Sequence, residues 1–310
     1  MTREGVGFLA GGAQEPLKYA TGALRPAESS VHAFADNIVG RRHHARAHGA
    51  EYAHVLFPDK QSVLSDVFPL SPLVRLGDTY VERMAPAVRN SVIYPVELLQ
   101  IHPDAYLPLD THLSNAGSLV VLREMLDNVS VEAPAALERI SARISRPRRW
   151  EGDLGIKLNP PRFQQALMLD PDWRFTQLSS QGGFNDGMVD ILTSPDAPVD
   201  RTVLLFGDSF FRLMLRHLTG VFTRVICLRT RFYHREMVEL IEPDIVFTGN
   251  AERYLSRVDP DDEASPFMLY NALRGVNEPF EPAFLKAWRA ITAPRSSHAH
   301  RFWNEHATSS

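Results

Sequence analysis

The stretch VLLFGDSFFRLMLRHLTGVFTRVICL (203–228), with PDIVFT (243–248) one helix later, decides the fold. VLLF (203–206) is a continuous apolar run ending at Gly207-Asp208-Ser209, so it reads as a buried strand entering a turn. Phe210, Leu213, Met214 and Leu218 then recur at helical spacing, which predicts a helix burying that side and closing at Gly220. VICL (225–228) begins the next strand, a helix is expected around Glu236–Ile241, and Pro243 leads into the strand DIVFT (244–248). Strands that are apolar throughout, without alternation, are those covered on both faces. Strand, helix, strand, helix, strand with right-handed crossovers predicts an α/β fold, a three-layer α/β/α sandwich with a central, mostly parallel sheet.

The same pattern begins earlier in the chain. Ser29 and Ser30 are expected to cap a helix carrying Val31, Phe34, Ile38 and Val39, with Gly49 as its C-cap. YAHVLF (52–57) is a buried strand stopped by Pro58-Asp59. A helix within 104–127 carries Leu119, Val120, Leu122 and Leu126. Residues 150–200 hold Gly152, Gly155, Pro160, Pro161, Gly182, Gly183 and Gly187 and read as a loop-rich insertion. Beyond the acidic turn DPDDE (259–263) a helix is expected near Pro282–Ile291. The organisation expected is one domain over 1–258 and a C-terminal extension over 259–310.

Composition narrows the function classes. With 33 Lys+Arg against 37 Asp+Glu the net charge is −4, which argues against a nucleic-acid partner. No apolar run approaches the roughly 20 residues of a membrane helix, so no transmembrane segment is expected. A single cysteine, Cys227, excludes an internal disulfide and a Cys-rich zinc site, and within a strand it reads as an inert core residue. Met1-Thr-Arg-Glu followed by FLAGGA (8–13) does not form a signal peptide, so the expected location is cytoplasmic, or periplasmic should a leader precede the chain.

Two short motifs can carry chemistry. Ser209 sits where a strand ends and a helix begins, beside free backbone N–H groups and the positive end of the helix dipole. That position suits a nucleophile whose reaction creates an oxyanion; the alternative, equally open here, is that Asp208 or Ser209 caps the helix. In Tyr106-Leu-Pro-Leu-Asp-Thr-His-Leu113, an extended backbone would turn Asp110 and His112 the same way, an orienting acid beside a base. The alternative is a capping aspartate with a surface histidine. Asn250 is a candidate second oxyanion donor or a helix cap, and Arg229, Arg231 and Tyr233 are candidate substrate contacts or loop residues. Lys60 is expected to pair with a carboxylate near the site or on the surface. His44 and His48 lie four apart, as helical metal ligands do, but lack the glutamate of HExxH and are flanked by Arg41, Arg42 and Arg46; a solvated basic helix end is expected there, and no metal site. His298, His300 and His306 fall in the tail.

Taken together, DTH (110–112) and GDSF (207–210) resemble the alginate O-acetyltransferase family, and further stretches resemble it in order: GVGFLAGG (5–12), AHVLFPDKQSVLSDVFP (53–69), EGDLGIKL (151–158) and PDIVFTGNAERYL (243–255). The resemblance implies an SGNH-hydrolase-like domain that O-acetylates exopolysaccharide, with Asp110, His112 and Ser209 as the triad. It departs at Leu113, where the family has Trp and an aromatic platform for glycan, and in that no leader is expected ahead of the domain. The implied protein is a serine-dependent O-acetyltransferase or acetyl esterase acting on a glycan, needing no metal or organic cofactor. Its partners are an acyl donor, a glycan acceptor and other proteins of a polysaccharide-modifying assembly. The alternative is a catalytically silent glycan-binding or assembly protein on the same fold.

Overall fold

A computed structural model describes residues 2, 5–180, 186–276 and 280–292; Gly182, Gly183 and the tail histidines His298, His300 and His306 lie outside them. The longer helices are α1 (Glu28–Ala47), α2 (Asn115–Asn128), α3 (Pro134–Arg143), α4 (Ser209–Leu218), α5 (Arg235–Ile241) and α6 (Pro282–Ile291). The strands are β1 (Glu51–Phe57), β2 (Val92–Ile93), β3 (Ile144–Trp150), β4 (Gln164–Leu169), β5 (Thr176–Ser179), β6 (Val189–Thr193), β7 (Val199–Gly207), β8 (Phe222–Arg229) and β9 (Ile245–Ala251). Seven strands form one sheet in the order β2-β1-β9-β7-β8-β6-β5, while β3 and β4 make a separate antiparallel ribbon. β2, β1, β9, β7 and β8 are parallel; β6 and β5 add antiparallel at one edge.

Side-chain alternation along β7 explains the three layers. Val203 and Leu205 join the core beneath α2, α3 and α4, whereas Leu204 and Phe206 join the core beneath α1 and α5. Because both faces are covered, Val203, Leu204 and Leu205 are each 0% exposed, which is why the strand is apolar without a break. Burial of each such side chain contributes about 1.5–3 kcal/mol.

Several local expectations change. The buried side of α4 is Phe210, Phe211, Met214, Leu215 and Leu218, while Leu213 is 42% exposed, since three residues after Phe210 falls on the flank of this stripe. α1 starts at Glu28 after Ala27, so Ser29 and Ser30 are not its cap. Ser30 is inside the helix and buried, hydrogen-bonded to the Tyr80 hydroxyl at 2.8 Å and accepting the Val258 N–H at 2.7 Å. Val39 is exposed, since the inward stripe of α1 runs through Val31, Phe34, Ile38 and Ala45. Gly49 closes this helix with φ +77°, a conformation that favours glycine. The segment 150–200 is more than loop: it supplies β4 and both antiparallel edge strands. α6 forms where expected and packs against β5 and β6, burying Phe284. Among the described residues no helix is long and apolar enough to cross a membrane.

Candidate active site

β7, β8 and β9 end together at the carboxyl edge of the sheet, and the turn from β7 into α4 lies there. A Cβ on Gly207 would overlap the Gly249 carbonyl of β9 and the Phe211 ring, so only glycine lets the strands and helix approach this closely. Asp208 is the helix cap: Oδ1 accepts the Phe210 N–H at 2.9 Å and Oδ2 accepts the Ala251 N–H at 2.8 Å. The choice left open between Asp208 and Ser209 as the cap is thereby resolved, and Ser209 is released to bond elsewhere.

Ser209 Oγ lies 2.8 Å from His112 Nε2, and His112 Nδ1 lies 2.9 Å from Asp110 Oδ1. The carboxylate only accepts, so Nδ1 carries the proton and donates to it; in the neutral ring Nε2 then accepts from the serine hydroxyl. The Asp110–His112 segment is not extended. Asp110 Oδ1 also accepts the His112 backbone N–H at 3.0 Å, a bond to the residue two further on that makes an Asx-type turn. Phe210 packs beside the imidazole, with ring centroids 4.9 Å apart.

The turn is held from outside by residues with no local signal in the motif. Trp150 Nε1 donates to Asp110 Oδ2 at 2.6 Å. Burial alone would raise the Asp110 pKa, but bonds from the His112 ring, Trp150 and the His112 N–H outweigh it and bring it down to about 2. The Gly-Asp-Leu-Gly segment wraps the same turn. Leu154 and Gly155 donate backbone N–H groups to the Leu109 carbonyl, and Asp153 accepts from the Thr111 N–H at 2.7 Å and its hydroxyl at 2.5 Å. Asp110, His112 and Asp153 each offer an atom within 4.8 Å of the others, the spacing of a metal cluster. Both oxygens of each aspartate already accept hydrogen bonds, so the trio forms a hydrogen-bonded network. Trp150 directly precedes the EGDLG stretch, and that adjacency was the available clue.

Lys60 is not at the surface, and among the described residues it is salt-bridged to no carboxylate. It is 3% exposed, and its Nζ donates to the carbonyls of Gly7, Leu107 and Pro108 at 3.0, 2.8 and 3.1 Å. It thus pins the chain just ahead of Asp110. Burial lowers its pKa to about 8, against the opposing charges of Asp110 and Asp153. Its neighbours extend the scaffold. Asp59 pairs with Arg253 at 2.6 Å, the Arg253 guanidinium lies 5.4 Å over the Phe210 ring, and buried Glu252 accepts from the Asp59 N–H, Ser62, the Gly77 N–H and Tyr94.

Of the remaining candidates, Asn250 and Tyr233 separate from the serine. Asn250 is within β9, not beyond it, and four residues from Val246 it points to the sheet face opposite α4. There it lines a cleft with His54, Arg231, Tyr254 and Arg257. Tyr233 is 3% exposed and packs on Phe206, its hydroxyl 2.9 Å from His44 Nδ1, so it is a core residue of that other face. Arg229 closes β8 in register with Gly207, at the edge that carries Ser209. Arg231 pairs with Asp259 at 2.9 Å. Leu113 is 7% exposed and packs in the core, so the side chain at this position forms no platform beside the serine. Cys227 is buried in β8, where desolvation pushes its thiol pKa up.

No family model and no curated protein matches the chain. Solved structures do. Bacillus cereus PatB1, determined with a sulfonyl adduct, superposes with a TM-score of 0.58 at 13% identity, covering 76% of this chain and 92% of that one. The O-acetyltransferase domain of Pseudomonas putida AlgJ gives 0.53 at 14% identity over 87% of this chain and 97% of that domain. A DHHW family protein of Eubacterium siraeum gives 0.53 at 10% identity, covering 75% and 87%. At such identities the likeness is one of fold, and by fold this chain is a three-layer α/β/α sandwich similar to PatB1 and to the AlgJ O-acetyltransferase domain.

Proposed function

We propose that the protein is a serine-dependent O-acetyltransferase that moves an acetyl group from an ester donor to a glycan hydroxyl. The observation carrying this reading is the hydrogen-bond relay from Asp110 through His112 to Ser209, at 2.9 and 2.8 Å. Ser209 Oγ attacks the donor carbonyl carbon while His112 Nε2 takes the hydroxyl proton. Asp110, held as a carboxylate by Trp150, stabilises the imidazolium. The tetrahedral oxyanion forms beside the Ser209 N–H, which as a first-turn amide has no partner within the helix. On collapse the donor alkoxide leaves with the proton from His112, and acetyl-serine remains. His112 then deprotonates the acceptor hydroxyl, the acceptor oxygen takes the acetyl carbon, and the proton returns to Ser209. Water in place of the sugar hydroxyl makes the same site an acetyl esterase. The similarity of fold to the AlgJ O-acetyltransferase domain favours transfer.

The test is turnover of a chromogenic acetyl ester with and without an oligosaccharide acceptor, with products read by mass spectrometry. Wild type is expected to release the chromophore and acetylate the acceptor, and a sulfonyl fluoride is expected to label Ser209. Ser209→Ala is expected to lose turnover and label together. Equal turnover by both proteins would overturn the proposal.

A further inference from the structure

On the far side of the sheet from α4, a histidine of α1 and the histidine that caps its C-terminus meet a glutamate of α5. One ligand atom from each of His44, His48 and Glu239 lies within 4.8 Å of those of the other two. The glutamate missing from the local sequence is supplied across the layer by a helix that starts about 190 residues later. His44 Nε2 and Glu239 Oε1 are 3.3 Å apart. Two ligands of a tetrahedral zinc ion, with bonds of roughly 2.0–2.1 Å, are separated by about the same distance.

The outer contacts of the two rings are those of ligating imidazoles. His48 Nδ1 lies 2.9 Å from the His44 backbone carbonyl, which only accepts, so Nδ1 carries the proton and the Nε2 lone pair is free. His44 Nδ1 lies 2.9 Å from the buried Tyr233 hydroxyl, which accepts from Nδ1–H once Nε2 is committed to an ion. The arginines that the sequence sets against a cation here are turned elsewhere. Arg41 is bidentate to Asp261, Arg42 donates to the Ala87 carbonyl, and Arg46 lines a cleft with Glu51 and Asn128. Arg235, one turn ahead of Glu239, is the cation still acting on His44.

We propose that His44, His48 and Glu239 bind one zinc ion, with water completing its shell, and that the ion ties the end of α1 to α5. Two imidazoles and a carboxylate with an open position form a borderline-soft donor set that favours zinc over magnesium or calcium. The cluster lies on the sheet face that packs against α1 and α5, whereas α4 and Ser209 lie on the other, so the sheet separates the ion from the serine. Its role is therefore structural, and independent of the acyl chemistry.

The test titrates the full chain with Zn(II) at about pH 7.5 in competition with a chromophoric chelator, and records the thermal midpoint with and without about 100 µM Zn(II). Wild type is expected to bind one equivalent and to gain thermal stability. His48→Ala and Glu239→Gln, at side chains open to solvent, are expected to keep the fold by circular dichroism, to bind at least tenfold more weakly and to lose the thermal gain. Replacing His298, His300 and His306 together is expected to change neither result. Absence of one-equivalent binding by wild type, or wild-type affinity in both His48→Ala and Glu239→Gln, would overturn the assignment.

Discussion

At Asp208 and Ser209, neighbouring side chains divide two tasks that either is able to perform. Asp208 takes the cap because its two oxygens satisfy Phe210 and Ala251 together, which one hydroxyl cannot do. On the proposed mechanism Asp110→Asn, which loses the charge and the tautomer preference, is expected to lower kcat about 10³–10⁴-fold while the fold persists. Trp150→Phe removes one bond to a charged group, worth about 1.5–3 kcal/mol, and should lower kcat roughly 10- to 150-fold. Steady-state kinetics with circular dichroism checks both. Asp110 also predicts a pH dependence. Its folded pKa, about 2, is below the ordinary 3.8, so its contribution to stability is complete above the ordinary value and disappears as pH falls through about 2. The contribution is about 2 kcal/mol, and denaturant titrations between pH 5 and 2 should show it in wild type and lack it in Asp110→Asn.

Among the elements, the DTH turn and the EGDLG segment behave as one piece. Gly152 lies against the Leu109 carbonyl with no room for a Cβ. Gly152→Ala is expected to push the two apart, costing about 2–4 kcal/mol and more than tenfold in kcat, read from denaturation midpoints and ester turnover. The central strands were legible in the sequence because each is apolar throughout, as burial on both faces requires. β5 and β6 were not. TQLS (176–179) is a polar edge strand, VDILT (189–193) is short, and both lie among glycines and prolines that suggest loop. Asp110, His112 and Ser209 stood out in the sequence as short DTH and GDSF motifs, although the DTH backbone turns where an extended one was expected; Trp150 acts across 40 residues of chain, and its adjacency to EGDLG was the only local clue to that contact.

Over the whole molecule, the PDK stretch after β1 and the AERYL stretch after β9 are bound to each other through Glu252. Four donors converge on its carboxylate from residues 59, 62, 77 and 94. Glu252→Ala would leave them buried without an acceptor and is expected to destabilise the protein by about 3–5 kcal/mol, measured by urea unfolding. His44 and Glu239 show the same long reach, for no local pattern pairs two helices so far apart in sequence. The sheet order has a further consequence, for synthesis on the ribosome. β1 lies between β2 and β9, and its long partner begins about 190 residues downstream, at Ile245. At roughly 5–20 residues per second, β1 waits about 10–40 s with an open apolar edge before β9 emerges. Nascent chains stalled before residue 245 should therefore be protease-sensitive and chaperone-bound, while chains extended past the AERYL stretch close the sheet and bring Glu252 to its donors.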